Sequence, residues 1–372
     1  MKLQNFETET WMTLHENNCT YNLADSCAKS LTVRELFELV NNKEQFVEQL
    51  MNMTLDYGPI EGSTRLKKGI LKLYQRQNVE ELAICHGGIN ANELVLMTVL
   101  DQGDHIISMT PTYQQLYSLP ESFGVETDLV QLEEDKQWIP SINDFASLIK
   151  SNTKMICLNL PNNPTGTTLS DQQLYELVAL CRDKGIYLFV DESYRGLYQE
   201  LSVSDIYEKG ISTSGLSKVL STAGLRMGWI KTQDRELIRL INERRDYHII
   251  SNGPLNDFLS CLVLENNEHI LQRNRNILET NKAFLAEWLK ENPLVSCVIP
   301  QFGTVCFLKY HLPMPSSVLA EKLQNETGVF FVPGSCFDKE YHLRFGLAND
   351  PETVKQGLLI FSKWLIKQKT LH

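Results

Sequence analysis

Short apolar runs alternate with amphipathic helical segments through the middle of the chain, and this alternation limits the possible folds more than any other feature. Five of the runs are predicted strands: Leu82–Cys85, His105–Met109, Met155–Leu158, Ile186–Val190 and Gly228–Ile230. Strands separated by helix-length segments pair in parallel, with helices on both faces of the sheet. The pattern predicts an α/β fold with a large domain, in which a mostly parallel sheet is flanked by helices.

The clearest predicted helix begins at Ser170, where Gln173 completes a capping box. The apolar residues that follow have the spacing of one helical face: Leu174, Leu177, Val178 and Cys181. Gly185 is placed to end this helix, because glycine accepts the left-handed conformation of a helix C-terminus.

The C-terminal third has a different pattern. A long polar helix is predicted over about Gln272–Asn292, and a last helix begins at Asp350. Short strands lie between them: Val295–Ile299, Val305–Tyr310 and Val329–Val332. We expect residues 48–260 to form the large domain, and residues 1–47 and 261–372 to form a smaller α+β domain. A long helix is expected to join the two.

Composition argues against several kinds of partner. With 35 basic and 46 acidic residues the net charge is −11, which disfavours nucleic acid and anionic membranes. No apolar run approaches the roughly 18 residues of a spanning helix, and the N-terminus has no signal-peptide pattern. The nine cysteines and eight histidines show no metal-ligand spacing, so no metal is predicted. Reduced thiols in the cytoplasm are expected.

One lysine lies in a setting suited to cofactor chemistry. Lys218 follows Ser217 in a run of small and hydroxyl residues near a predicted strand end. Lysine forms Schiff bases with aldehydes, and we expect a cation-rich pocket to lower the pKa of its amine. Arg226, between Gly224 and Gly228, has the forked donor geometry that suits a phosphate. Taken alone, a lysine in such a loop is more often a solvated surface residue.

Three further motifs follow predicted strands. The loop from Asn159 to Gly166 is rich in proline and glycine, and its Asn163 can donate to a phenolate-type oxygen. Asp191 can pair with a protonated pyridine nitrogen, and Tyr194 can reach the hydroxyl of the same ring. The glycines of His86–Ala91 open a helix whose N–H groups can hold a phosphate. Each motif alone also fits an ordinary turn or helix cap.

Taken together, these motifs resemble pyridoxal-phosphate-dependent aminotransferases of fold type I, class I/II. The matching blocks follow the family's order: Tyr57-Gly58 with Gly62 and Arg65, Gly87 to Ala91, Pro111-Thr112-Tyr113, Asn159 to Gly166, Asp191 to Tyr194, Ser217-Lys218, Gly224 to Gly228 and His342 to Phe345. Each block is modest, but their joint order and spacing are specific.

The resemblance implies three catalytic residues, Lys218, Asp191 and Tyr194. Lys218 forms the Schiff base with pyridoxal phosphate and later moves a proton, while Asp191 keeps the pyridine nitrogen protonated. The residues implied to hold the cofactor are Tyr57 of the neighbouring subunit, Gly88, Ile89, Asn90, Tyr113, Asn163, Asp191, Tyr194, Ser217, Lys218 and Arg226. The substrate is implied to contact Arg344, which clamps its α-carboxylate, together with Asn163 and Ser26.

The resemblance implies a cytoplasmic homodimer with shared active sites that transfers the amino group of an α-amino acid to a 2-oxo acid.

Two departures from the family's pattern limit this interpretation. Leu23–Leu31 stands where most members have a glycine-rich loop, and Thr112 stands where many have an aromatic residue. The N-terminal pattern is similar to a subgroup that includes capreomycidine synthase. A lyase or cyclase on the same scaffold is therefore the alternative, and the amino acid and its acceptor are not identified.

Two other classes are weaker alternatives. A ligand-sensing regulator with an aminotransferase-like domain would carry a DNA-binding segment, and we expect no room for one before Tyr57. An inactive relative is disfavoured because Lys218 and Asp191 are both intact.

Overall fold

The computed structural model describes residues 2–41, 43–198 and 201–370. Its α-helices are α1 Glu7–His15, α2 Val33–Glu38, α3 Lys43–Met51, α4 Thr64–Leu71, α5 Gly87–Val99, α6 Gln115–Ser122, α7 Ile142–Leu148, α8 Asp171–Lys184, α9 Val203–Ile206, α10 Arg235–Arg245, α11 Pro254–Glu265, α12 Asn267–Glu291, α13 Ser316–Thr327 and α14 Pro351–Lys369. Its strands are β1 Tyr21–Asn22, β2 Leu82–His86, β3 His105–Thr110, β4 Glu126–Gln131, β5 Thr153–Asn159, β6 Tyr187–Asp191, β7 Gly210–Gly215, β8 Met227–Thr232, β9 Val295–Cys297, β10 Val305–Tyr310, β11 Val329–Phe330, β12 Val332–Pro333 and β13 His342–Gly346.

A seven-stranded sheet in the order β2-β8-β7-β6-β5-β3-β4 forms the larger part of the fold. All its neighbouring strands are parallel except β8, which is antiparallel to both β2 and β7. The expected α/β class and mostly parallel sheet are confirmed, and each of the five predicted strands is present. Two strands of this sheet, β4 and β7, were not predicted.

Strand β7 was missed because its core contacts are polar. Its Thr213 Oγ1 donates to Asn92 Oδ1 at 2.6 Å, and its Ser214 Oγ donates to the backbone oxygen of Glu192 at 3.0 Å. Every residue of β7 is buried. A strand buried through hydrogen bonds between small side chains has no apolar pattern by which sequence reasoning finds strands.

Helix α8 has the predicted ends. Ser170 and Gln173 form the capping box, and Gly185 ends the helix at a φ of 68°. The four apolar residues of the predicted face are buried against the sheet: Leu174, Leu177, Val178 and Cys181.

The C-terminal part forms a second, antiparallel sheet in the order β12-β13-β10-β9. The 25-residue helix α12 connects this part to the large sheet, as expected. The run Val329–Val332, predicted as one strand, instead contributes to two sheets. Strand β11 pairs in parallel with β1, while β12 pairs with β13.

The N-terminal segment packs on this C-terminal part through β1 and through Trp11, whose Nε1 donates to the oxygen of Phe331 at 3.0 Å. These contacts agree with the expected small domain, whose boundaries at residues 47 and 260 stay a prediction. Within the described ranges, no helix is long and apolar enough to cross a bilayer. The same residues contain no group of three or more His, Cys, Asp or Glu placed to hold a metal ion.

Candidate active site

The carboxyl ends of β5 and β6 and the N-terminus of α5 border a cleft of about 700 Å³. The residues that line it come from distant parts of the sequence and include Glu9, Ser26, Gly88, Tyr113, Asn163, Asp191, Tyr194, Ser217, Lys218, Arg226 and Arg344. Ligands of open α/β sheets bind at this edge, because the loops that follow parallel strands meet there. The fold therefore brings nearly all of the predicted site residues together.

Lys218 follows β7 and points toward the N-terminal segment. Its Nζ donates to Ser26 Oγ at 2.8 Å, and its backbone oxygen accepts from the N–H of Ala28 at 2.8 Å. Burial lowers the pKa of the Lys218 amine, but the negative charges that Cys27, Tyr194 and Asp25 can carry raise it by more, so the net shift is upward. The expectation that a cation-rich pocket lowers this pKa was wrong, because Arg344 lowers it by less than these three groups raise it.

Asp191 ends β6 as a buried carboxylate held on both oxygens. Its Oδ1 accepts from the Ser193 hydroxyl at 2.6 Å, and its Oδ2 accepts from Asn92 Nδ2 at 2.8 Å. Burial raises the pKa of Asp191, and the hydrogen bonds from Ser193 and Asn92 oppose that rise. The side chain is therefore rigid and suited to pair with a cation that enters the cleft.

The N-terminus of α5 and Arg226 form a cradle for an anion. Gly87 has a φ of +78°, and a Cβ on it would lie 2.6 Å from Arg226 Nη2, so only glycine lets the backbone lie beside the guanidinium. The N–H groups of Gly88 and Ile89 fall in the first helical turn, where a helix provides no internal acceptor. Two backbone donors, Arg226 and the nearby Ser217 are the donor set that a phosphate requires.

Arg344 on β13 is 3% exposed and also lines the cleft. Its Nη2 donates to the backbone oxygen of Ala24 at 3.0 Å, and its Nη1 lies 3.4 Å from Asn163 Oδ1. Its Nε has no hydrogen-bond partner among the described residues. A carboxylate ligand would give this buried guanidinium both a counter-charge and an acceptor for its unused donor.

Two predicted cofactor residues lie away from the cleft of their own chain. Tyr57 is 65% exposed, and its backbone oxygen accepts from Ser251 Oγ. The Asn90 side chain is turned toward the N–H of His86 and toward Glu93 instead of lining the cleft.

Sequence reasoning missed several residues of the site. Asn92, which orients Asp191, directly follows the His86–Ala91 motif and was assigned no role. Asp25 and Cys27 line the cleft and belong to the atypical segment Leu23–Leu31, whose departure from the glycine-rich loop was the available signal. Nothing in the sequence pointed to the remaining two acids, Glu9 and Glu16.

Residues 9–359 match the family model for aminotransferase class I and II. The chain belongs to the class I and II aminotransferase family. It is 40% identical to a PLP-dependent aminotransferase from Streptococcus suis 89-1591, whose crystal structure matches with a TM-score of 0.95 over 99% of both chains.

Curated relatives of this aminotransferase are more distant. Capreomycidine synthase of Streptomyces vinaceus is 24% identical over 316 residues, which cover 83% of this chain and 80% of that protein. The probable aspartate/prephenate aminotransferase of Aquifex aeolicus is 25% identical over 342 residues, which cover 87% and 86% respectively.

The aminotransferase depends on pyridoxal phosphate. The cleft fits this cofactor on chemical grounds, because it combines a primary amine, a fixed carboxylate and an anion cradle. Lys218, Asp191 and the cradle around Arg226 are the residues suited to hold its aldehyde, ring nitrogen and phosphate. When bound, pyridoxal phosphate supplies an electron sink for the carbanion formed at a substrate Cα.

Proposed function

We propose that this enzyme is a homodimeric transaminase that moves the amino group of an α-amino acid to a 2-oxo acid. The observation that carries the proposal is the pairing of Lys218 with Arg344 in one cleft. Lys218 is a lysine placed for a Schiff base, and Arg344 is a buried guanidinium whose Nε is unpartnered. One binds the cofactor and the other binds the carboxylate that every α-amino acid carries.

The chain's own residues divide the work of this reaction. Arg344 and Asn163 hold the substrate carboxylate and so present its Cα–H to Lys218, which accepts that proton. Asp191 keeps the ring nitrogen protonated, and Asn92 and Ser193 keep Asp191 in place. Tyr113 covers the cofactor ring, while Tyr194 and Asn163 bond its hydroxyl oxygen.

The dimer is part of the proposal. A group of exposed apolar residues surrounds the segment that contains Tyr57: Met51, Leu55, Ile60, Tyr247, Ile250 and Leu255. Two contacts hold the two halves of this group together: Ser251 Oγ donates to the backbone oxygen of Tyr57, and Gly58 packs on Pro254. Such an apolar face favours burial against a second copy, in which Tyr57 reaches the partner's phosphate cradle.

Free thiols at all nine cysteines favour a reducing compartment, so we also propose the cytoplasm.

A half-reaction assay tests the proposed reaction. Holoenzyme is mixed with single amino acids, and the visible absorbance of the cofactor is followed before and after a 2-oxo acid is added. A transaminase loses the absorbance with its amino acid and recovers it with the acceptor. A holoenzyme that responds to no amino acid would contradict the proposal.

The second candidate is a lyase or cyclase that uses the same cofactor. It is favoured by the side chains of Asp25, Ser26 and Cys27 in the cleft, where most family members have a glycine-rich loop. Similarity to capreomycidine synthase supports it. Product analysis separates the two reactions, because a lyase or cyclase forms its product without a 2-oxo acid and a transaminase does not.

A further inference from the structure

Three carboxylates of the N-terminal segment line the cleft. Glu9 lies on α1, Glu16 lies just beyond the end of α1, and Asp25 lies in the segment that leads to Ser26. All three line the same cleft as Lys218 and Arg344. They come from the N-terminal segment, whose Ser26 accepts a hydrogen bond from Lys218 Nζ, so this segment borders the place where a bound amino acid reacts.

Among the described residues, no cation of the chain is directly hydrogen-bonded to these carboxylates. Their hydrogen-bond partners are uncharged: Glu9 Oε1 accepts from the Tyr113 hydroxyl at 3.3 Å, Glu16 Oε1 accepts from Asn22 Nδ2 at 3.3 Å, and Asp25 Oδ1 accepts from the N–H of Cys27 at 2.8 Å. Across the residues that the structure describes, none of the three forms a salt bridge.

The carboxylates also repel one another. Burial raises the pKa of Glu16, and the negative charges of Asp25 and Glu9 raise it further. Arg344 is near enough to oppose this rise. The acids and the arginine therefore belong to one electrostatic site, in which negative charge is in excess.

The cations of the cleft have other partners during the proposed reaction. Arg226 faces the phosphate, Arg344 faces the α-carboxylate, and Lys218 is joined to the cofactor or moves a proton. Asp191 faces the ring nitrogen. Of the charged residues that line the cleft, Glu9, Glu16 and Asp25 are the ones that the proposed reaction leaves without a partner.

We infer that the substrate is an amino acid with a cationic side chain, a guanidinium or an ammonium group, which these three carboxylates receive. The inference rests on the proposed function and holds equally for its transaminase and cyclase forms. A guanidinium donates to several carboxylates at once, and an ammonium donates in three directions. Aspartate, glutamate and dicarboxylic 2-oxo acids are disfavoured, because their second carboxylate would be buried among like charges.

The test compares amino acids that differ in charge and little in shape. Holoenzyme is titrated with L-arginine and L-citrulline, with L-lysine and L-norleucine, and with L-glutamate, and the cofactor absorbance gives the apparent affinity and rate. We expect each cationic member to react at least about tenfold better than its neutral counterpart, since a charge-assisted contact is lost in the latter. L-Glutamate should react least.

Variants assign the preference to the acids. Glu16→Gln and Asp25→Asn should each reduce the ratio of reactivity with L-arginine to that with L-citrulline. A general loss of folding or cofactor would lower both rates and leave the ratio unchanged. Glu176→Gln is the matched control, because Glu176 is an exposed acid on α8.

The outcomes separate the inference from the proposed function. If neutral or acidic amino acids react as well as the cationic ones, the inference is wrong and the proposed function stands. The inference is also wrong if both variants keep the full arginine-to-citrulline ratio, since the charge preference then comes from elsewhere, including the partner subunit. If no amino acid of any charge alters the absorbance, the proposed function fails and the inference fails with it.

Discussion

Lys218 is the residue whose loss should separate cofactor attachment from folding. We predict that Lys218→Ala folds, loses the covalent link to pyridoxal phosphate and loses activity by several orders of magnitude, because one amine serves both attachment and proton transfer. Borohydride reduction followed by peptide mass analysis measures the link. Lys154→Ala, at an exposed lysine on β5, is the control. A reducible adduct on a different lysine of Lys218→Ala would contradict this assignment.

Asn92 is the residue most useful for testing how Asp191 is positioned. Asn92 is 1% exposed, donates to Asp191 and accepts from Thr213. We predict that Asn92→Ala weakens pyridoxal phosphate binding several-fold and slows Cα deprotonation, because Asp191 loses a hydrogen bond worth about 1–3 kcal/mol. Titration of the apoenzyme with cofactor, combined with half-reaction rates, measures both effects.

Asn281 offers a control of equal burial. It is also 1% exposed, and its Nδ2 donates to the backbone oxygens of Leu347 and Asn349, far from the cofactor residues in sequence. Asn281→Ala should reduce stability without changing cofactor affinity. Equal loss of cofactor affinity in the two variants would show that Asn92 acts only through general stability.

Residues of the site were predictable where chemistry and a local motif coincide. Lys218, Asp191 and Arg226 each lie near a strand end with a glycine or serine one or two positions away, and the sequence displays that combination. Asn92 is 99 positions from Asp191, its hydrogen-bond partner. Contacts of this kind are created by the topology of the sheet, so no local pattern could reveal them.

Among the elements, strands were predicted where their burial is apolar. Five strands of the large sheet carry apolar runs, and all five were found. Strand β7 is buried through hydroxyl groups, while β4 lies at the sheet edge and is mostly half-exposed. Neither has the composition that distinguishes a buried strand from a loop.

One carboxylate ties the short helical turn after β4 to the C-terminal sheet. His342 Nε2 lies 3.6 Å from Glu134 Oε2, and Lys309 Nζ lies 3.0 Å from it. His342 and Lys309 together lower the pKa of Glu134 to about 2. Because this value is below the ordinary 4.5, the charged carboxyl stabilises the fold above about pH 4.5, and its contribution disappears as the pH falls toward 2.

We therefore predict that Glu134→Gln lowers the free energy of unfolding at pH 7 by about 1 kcal/mol. The expected loss is small because the side chains of Glu134 and Lys309 are partly exposed to solvent. The difference from the parent protein should narrow as the pH falls below about 4.5. Urea unfolding at several pH values measures it. Glu133→Gln is the control, because Glu133 pairs with Lys136 at the surface, where such pairs contribute little. A difference that is independent of pH would assign the loss to packing.

At the level of the whole molecule, the proposed dimer predicts an active site divided between two chains. Tyr57 is exposed and lies outside the cleft of its own chain, yet the family resemblance gives it a phosphate-binding role. Both statements hold together if Tyr57 completes the cleft of a partner related by two-fold symmetry. A monomer would then lack one phosphate ligand, so cofactor affinity should fall when dimerisation is impaired.

Mixed dimers test this arrangement directly, provided that Tyr57→Phe alone is strongly impaired. When Tyr57→Phe and Lys218→Ala chains are dissociated and reassociated in equal amounts, a mixed dimer places both lesions in one site and none in the other. Random pairing should then restore about a quarter of the parental activity, as two-fold symmetry requires. The control mixes Lys218→Ala with Arg344→Ala, whose lesions lie in the cleft of their own chain, so every mixed site stays damaged. If the Tyr57→Phe mixture recovers no more activity than this control, with mixed dimers shown to form, each protomer uses its own Tyr57 or none.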